Sequence, residues 1–488
     1  MRDYSDLVDF QFIDPNKDSN NDKLFQQLVK QGLMPTDLEI RKTGSLLNKI
    51  IFPGAIIYYK DKNIPVNFLK NKFYNSTSQN INLSIENIEY EFISAILKIT
   101  SNKRDKIAFL KGNNELKEEQ VHDIMYSVLN DNFSLNNYFD IDQLDIKEFQ
   151  LDSNTLEPDI SDKIHSMSNY KAIIIAKPSN SFNNLDKFLI DQYIMNGGKV
   201  LWLIDGVSAD MDKLRDNPEG FIANKNQLNI SDQLFKYGVR INTDLIQDKR
   251  AVEIPIVTGY SNNLPQQDFF LWPYFPLLKS SSAHPISRGL DAIRCVFVSS
   301  IDTIDNNIKK TILLESSKQS RIIPAPLNIN LNILRNPYKI NTYQASYPVA
   351  VLLEGEFESV FKNRILPKEN NISFRQSSDK NKMIVVSDGD LIANEVSDKG
   401  TIYPLGYDKF INYTYEGNKH FLINCIEYLC DSNGVSILKA KELKMRLLNK
   451  VIIQEYYLYI QIINILTPLL LLFIFAAYYR FNYKRKYV

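Results

Sequence analysis

The sequence predicts an α/β protein: a doubly wound, largely parallel sheet with a β-rich insertion, a small α/β unit before it and one membrane-spanning helix after it. Three observations predict this. Ala172–Ala176 and Val200–Ile204 are unbroken apolar runs, as expected of strands covered on both faces of a parallel sheet. Between them Leu185, Phe188, Leu189 and Ile194 recur at helical spacing behind an Asn183/Asn184 cap, and Gly197 stops the helix where a left-handed residue is needed. Strand, helix and strand in so few residues make a right-handed crossover, which puts the segments after Ala176 and Ile204 on one sheet edge. The third observation is Tyr457–Tyr479, an uncharged stretch long enough to cross about 30 Å of hydrocarbon.

In chain order, residues 1–70 read as the small α/β unit: a strand at Val8–Ile13, a helix at Asp22–Lys30 ending near Gly32, and strands at Leu38–Lys42 and Gly54–Tyr59. Its opening strand has no upstream neighbour to pair with, so a complete domain is expected to begin earlier. Residues 71–104 are a linker, polar and turn-rich over Asn71–Asn82 and helical over Ile85–Thr100. The main domain is 105–432. It starts with a buried strand at Ile107–Leu110, a loop at 111–114 and a helix through Val121, Ile124, Met125, Val128 and Leu129. The alternation of strand and helix marks a doubly wound sheet, which resumes at Met383–Val386 and is covered by a helix over Asn418–Leu429.

The insertion, about 207–381, alternates short strands with Pro and Asn turns: Val239–Asn242, Ile254–Thr258, Cys295–Ser299, Thr311–Glu315 and Ala350–Leu353. Its most apolar loop, Phe269–Leu278, reads as a docking surface or, more commonly for such a loop, as a plug in the core. Residues 433–456 form a basic juxtamembrane helix suited to lipid headgroups over Lys439–Lys450, 457–479 the membrane span and 480–488 a basic tail.

Composition narrows the function classes. With 57 basic and 57 acidic side chains in 488 residues, no global field attracts nucleic acid. Cys295, Cys425 and Cys430 make no disulfide framework; the last two lie nearly on opposite sides of a predicted helix and read as core filler. Tyr456, Tyr457, Tyr459, Tyr478 and Tyr479 bracket the apolar span as an interfacial belt, and Pro468 is tolerated inside it. Arg480, Lys484, Arg485 and Lys486 follow the span densely, whereas Lys441, Lys444, Arg446 and Lys450 are spread out and diluted by Glu442. This favours an inner-membrane protein with its C-terminus in the cytoplasm and its body outside. The opening MRDYSDLVDFQF has no basic n-region and no apolar h-region, which instead fits a missing segment or a body kept in the cytoplasm.

The chemistry-bearing patterns are few. There is no G-x-x-x-x-G-K-[ST] and no G-x-G-x-x-G after a strand, so nucleotide hydrolysis must come from elsewhere and no cofactor is called for. His122, His165, His284 and His420 are scattered without a second ligand at helical spacing, which disfavours zinc. A nucleophile elbow would need a glycine-flanked Ser or Cys, but the turn after Ala176 is Lys177-Pro178-Ser179. The best candidate site is acidic: Asp205, Asp210 and Asp212 with Asp388 and Asp390 follow strands that end on one edge. Two to four carboxylates could converge there on a cation or on sugar hydroxyls. The commoner use of Asp in such turns is to cap helices.

The wording of the blocks IIIAKPSNSFNNLDKFLIDQYIMNGGKVLWLIDGVSADMD, DQLFKYGVRIN, WPYFPLL, HPIS, VAVLLEGEFESVFKNR, VVSDGD and LGYD, with NKHFLINCIEYL and KELKMRLL, resembles the GldG family, the gliding-motility-associated auxiliary subunit of an ABC transporter. The resemblance runs from about Phe10 to the C-terminus. It implies an extracytoplasmic body beside a separate permease and a separate ATPase, and a glutamine-amidotransferase-like sheet for which polysaccharide binding is an expectation. It implies no catalytic residues. It also implies an N-terminal membrane segment, strand and helix ahead of VDFQFIDPN that this chain lacks. The reading is therefore a membrane-anchored, non-enzymatic auxiliary subunit. The alternatives are an amidotransferase-like or glycan-acting enzyme using the acidic edge, and a cytoplasmic tail-anchored scaffold.

Overall fold

The computed structural model describes residues 8–16, 22–42, 45–69, 77–100, 104–128, 134–150, 159–217, 219–261, 264–280, 284–335, 345–364, 366, 373–432, 434–440 and 455–487. Helix α1 (Asp22–Lys30) leads into two hairpins, Thr36–Lys42 with Ser45–Ile51 and Gly54–Tyr59 with Lys62–Asn67. Val8–Ile13 is not the expected strand. It runs as irregular chain with Phe12 91% exposed, and among the described residues no segment offers it a hydrogen-bond ladder. Helix α2 (Thr77–Thr100) begins inside the stretch read as turns. Asn80 and Ser84 are buried there, and Ser84 Oγ donates back to the Asn80 carbonyl at 2.7 Å, so burial overrides the polar composition.

The body is organised on a ten-stranded mixed sheet. Numbering only its long strands, β1 is Lys106–Lys111, β2 Asp140–Asp145, β3 Ala172–Ala176, β4 Lys199–Leu203, β5 Ala251–Ser261, β6 Leu264–Ser280, β7 Lys309–Glu315, β8 Pro348–Glu358 and β9 Ser377–Val386. Their order is β5-β6-β7-β8-β9-β4-β3-β1-β2, and the short strand Ile293–Arg294 pairs with β6. From β9 through β4, β3 and β1 to β2 every pairing is parallel, and from β9 back to β5 every pairing is antiparallel. The stretch between Asp205 and Lys382 thus supplies the antiparallel half of the main sheet.

Period-two burial explains the two apolar layers. Ile107 and Phe109, Ile174, Leu201 and Leu203, Leu352, and Ile384 and Val386 pack into one core. Ala108 and Leu110, Ile173 and Ile175, Val200 and Trp202, Val351, and Met383 and Val385 pack into the other. The second layer is covered by three helices after the one-turn α3 (His122–Tyr126): α4 (Ile160–Met167), α5 (Asn184–Met195) and, beyond α6 (Met211–Asp216), α7 (Ser231–Tyr237). The first layer is covered by α8 (Gly417–Cys430), through Phe421, Leu422, Cys425, Ile426 and Leu429. Asn183 accepts from Asp186 N at 2.8 Å and Asp186 accepts from Asn183 N at 3.0 Å, a reciprocal cap on α5, and Gly197 takes φ 91° at its end. Under α5 the fully buried Asp191 accepts from Tyr237 Oη (2.8 Å), Ser359 Oγ (2.6 Å), Val360 N (3.0 Å) and Gln192 Nε2 (3.0 Å). This carboxylate ties α5, α7 and the end of β8 together.

Three other expectations are corrected. The helix predicted through Val121–Leu129 is only α3: Ser127 turns to φ 63° and Asp123 Oδ1 accepts from Val128 N at 2.7 Å, which caps the turn, while Leu129 lies outside the described residues. Phe269–Leu278 is strand, not loop. β6 bulges between Leu271 and Pro276, four residues facing the single Val252 of β5, which leaves Pro273 outside the ladder while Pro276 pairs with Ala251, and Trp272, Tyr274, Phe275 and Leu278 turn into the core. Cys295–Ser299 is not a strand. Phe297 has φ 51°, and the N–H groups of Cys295, Phe297 and Ser299 donate to Pro276, Tyr274 and Ser387 on two different strands or their ends.

α2 is bound to the body by Tyr90 Oη to Glu427 at 2.7 Å, Lys98 to Glu427 at 3.3 Å and Glu86 to Arg288 at 3.0 Å. Beyond α8 a 3-10 turn covers Val435–Ala440; residues 441–454 of the expected basic helix lie outside the described ones. The last helix, α9 (Tyr457–Tyr487), has a mean hydropathy of 2.3 over its apolar window, and none of its Tyr457–Tyr483 stretch is buried against the body. By length and composition it can cross a membrane.

Candidate functional site at the strand ends

The C-terminal ends of β1, β3, β4 and β9 open onto a cleft of about 910 Å³. After β3 the chain turns at Lys177, which holds a left-handed φ of 50° fixed by its N–H donating to the Leu203 carbonyl at 2.9 Å. That turn sends the Lys177 ammonium to Asp390, in direct hydrogen-bond contact, and to Asp205 Oδ2 at 3.7 Å. Asp205 Oδ1 accepts from Gly389 N at 2.5 Å. Asp388 is wholly buried and accepts three backbone N–H groups, Val296 (2.9 Å), Asp390 (2.8 Å) and Leu391 (3.1 Å).

One oxygen from each of Asp205, Asp388 and Asp390 lies within 4.8 Å of the others. The crossover geometry thus brings together three of the five predicted carboxylates. The other two have different places. Asp210 caps α6, accepting from Asp212 N at 2.9 Å, and Asp212 pairs with Arg215 at 2.9 Å on an exposed surface; both line the cleft without joining the cluster.

The residue missed from sequence is Lys177, which occupies the position a cation would take. Its only signal was a Lys-Pro pair directly after a buried strand. Burial works against its charge, but Asp390 and Asp205 outweigh burial and hold the ammonium above the ordinary lysine value. Burial, then the Asp390 charge, pushes Asp205 up to about 7 against Lys177 and the Gly389 N–H. Burial, then Asp390 and Asp205, pushes Asp388 up to about 8 against the Val296 N–H and Lys177. Asp205 and Asp388, buried beside one ammonium, hold their protons to higher pH because the low dielectric disfavours surplus charge.

Gly389 is required by close approach, not by its φ of −75°. A Cβ there would lie 2.6 Å from Lys177 Cγ and 3.0 Å from Asp205 Oδ1. Gly389→Ala is expected to push these groups apart and cost about 1–3 kcal/mol, read as a lower melting temperature of the purified chain.

Part of the cleft wall comes from the loops after β9. Tyr403 and Tyr407 stack there with ring centroids 5.1 Å apart and planes 8° from parallel, and Tyr407 Oη donates to Asn412 at 3.0 Å. Lys409 pairs with Glu395 at 3.3 Å. Asn114, Gln120 and Asn394 add amides, and Arg294 lies over the Phe275 ring with its Nε free of any partner among the described residues. Glu115 accepts from Asn113 N at 2.8 Å through one oxygen, has no partner among the described residues for the other, and is pushed up by burial. Stacked phenols with amides and carboxylates suit a ligand of apolar ring faces and many hydroxyls.

The same stretch of chain that builds this edge, residues 104–425, matches the family model described as ABC-type uncharacterized transport system (ABC_transp_aux). The chain belongs to this family. A member of the ABC-type transport system family of this kind is an auxiliary component, which implies a permease and an ATPase as partners. No curated protein matches the chain. Among solved structures it is similar to the mmIFT52 N-terminal domain, at 13% identity and a TM-score of 0.36, covering 67% of this chain and 99% of that one. It is also similar to the cytoplasmic protein STM3548 from Salmonella typhimurium, at 11% identity and a TM-score of 0.28, covering 66% and 98%.

Proposed function

We propose that this member of the ABC-type transport system family is a membrane-anchored, non-enzymatic auxiliary subunit of an ABC transporter complex associated with gliding motility. Its cleft binds a polysaccharide or another surface-linked ligand. The observation that carries the ligand reading is the wall of Tyr403 and Tyr407 facing a polar floor in a cleft of about 910 Å³. The non-enzymatic reading is supported by the cluster itself. Lys177 is held by Asp390 and Asp205, so the ammonium is committed to the cluster. The five parallel strands with helices on both faces support a doubly wound, glutamine-amidotransferase-like sheet. Arg480, Lys484, Arg485 and Lys486 after the apolar helix support a cytoplasmic C-terminus and an extracytoplasmic body in the inner membrane.

Co-purification from native membranes tests the assembly: the chain should bring down one permease and one ATPase, and recovery alone would refute the auxiliary role. The ligand reading is tested by titrating surface polysaccharide against the purified chain. The double variant Tyr403→Ala, Tyr407→Ala is expected to bind about tenfold more weakly with an unchanged melting temperature.

A further inference from the structure

A second, smaller pocket of about 260 Å³ lies at the opposite end of the parallel strands, between the turn before β3 and the turn before β4. Ser168, Asn169, Tyr170 and Lys171 form one side; Asn196, the two glycines after it and Lys199 form the other. Its charge is unbalanced. Lys171 pairs with the half-exposed Asp105 at 2.7 Å, whereas Lys199 Nζ donates only to a backbone carbonyl, that of Gly197, at 3.0 Å among the described residues. Lys382 stands nearby, its ammonium 4.2 Å from the Tyr428 ring centroid. Burial, with the charges of Lys171 and Lys382, pulls Lys199 below the ordinary lysine value even though the Cys430 sulfur nearby opposes this. Like charges held this close around a concavity call for an anion.

The place of the pocket says which anion. α8 ends beside it at Cys430, Lys171 Nζ donates to Ser432 Oγ at 3.3 Å, and the chain continues from there to the apolar helix at Tyr457. The pocket therefore sits at the foot of α8, the last long helix of the body before the apolar one in the chain. We propose that it holds the phosphate of an anionic phospholipid headgroup, with Lys171 and Lys199 as the charged contacts, and so fixes the body against the bilayer that α9 enters. This rests on the anchoring read above and is independent of the ligand in the cleft. A pocket of this size takes a phosphate and not a folded partner, and lysines at a membrane surface favour anionic lipid.

The test uses the full chain in lipid nanodiscs of phosphatidylcholine alone or of equal parts phosphatidylcholine and phosphatidylglycerol, with amine acylation read residue by residue by mass spectrometry. Phosphatidylglycerol is expected to slow labelling of Lys171 and Lys199 by about tenfold while leaving Lys117 in the cleft unchanged. Lys171→Gln with Lys199→Gln should abolish retention of phosphatidylglycerol by the detergent-extracted chain, and the Lys→Arg pair should keep it. Equal labelling in both discs would overturn the proposal, as would protection spread evenly over surface lysines such as Lys60 and Lys225. Protection by inorganic phosphate in phosphatidylcholine discs would assign the pocket to a free anion and overturn the lipid source. A chain that does not enter the discs would overturn the anchoring, and this proposal with it.

Discussion

Lys177→Met is expected to lower stability by about 3–5 kcal/mol above neutral pH and by much less in mild acid. In the native protein the half-buried ammonium faces Asp390 and the buried Asp205 at the cleft, and removing it leaves the Asp205 charge uncompensated. The pH dependence follows from the carboxyls. Asp205 and Asp388 are raised, to about 7 and about 8, above the value of 3.8 for an unperturbed Asp. Between those limits the folded state holds protons that the unfolded state has released, so the stability they confer is full in acid and is lost as pH rises through about 7 and 8. Without Lys177 nothing opposes the like charges, and the loss becomes steeper. Melting temperatures of wild type and variant, measured from about pH 5 to about pH 9, should therefore converge at the acid end and separate at the alkaline end. Parallel curves would show that the cluster does not titrate as its burial demands.

Asp191→Ala is the second large effect, expected at about 4 kcal/mol. The side chain it removes accepts from Tyr237, Ser359, Val360 and Gln192, none of which has water to turn to at a site with no exposure. Each stranded donor costs about 1–3 kcal/mol, reduced by whatever relaxation the site allows. Tyr237→Phe removes one donor and leaves the carboxylate with the other three, and should cost about 1 kcal/mol. Thermal unfolding of the two variants checks the ratio between them. A ratio near one would mean that α5, α7 and the end of β8 are not held through this carboxylate.

The parts of the molecule visible in the sequence are those set by short-range periodicity. β3, α5 and β4 were legible because their apolar runs, cap and stop glycine all lie within one crossover, and the same logic placed Asp205 and the Asp388-Gly389-Asp390 turn on one edge. Lys177 was hidden because a lysine's place depends on the backbone φ of its own turn, which the preceding strand does not encode. Tyr403 and Tyr407 were hidden because their stacking belongs to irregular loops closed by long-range packing. Phe269–Leu278 misled because Pro273 and Pro276 ordinarily break a central ladder. The bulge of β6 opposite Val252 takes Pro273 out of the ladder, and such a bulge is a property of the pair of strands. The extension of the sheet through β7 and β8 was likewise fixed by partners far along the chain.

The cleft and the C-terminal end of α8 occupy opposite poles of the sheet. α8 runs between them, with Asn418 lining the cleft and Cys430 at the foot beside Lys199. Tyr403 and Tyr407 therefore stand about one strand length, about 17 Å, from the foot of α8.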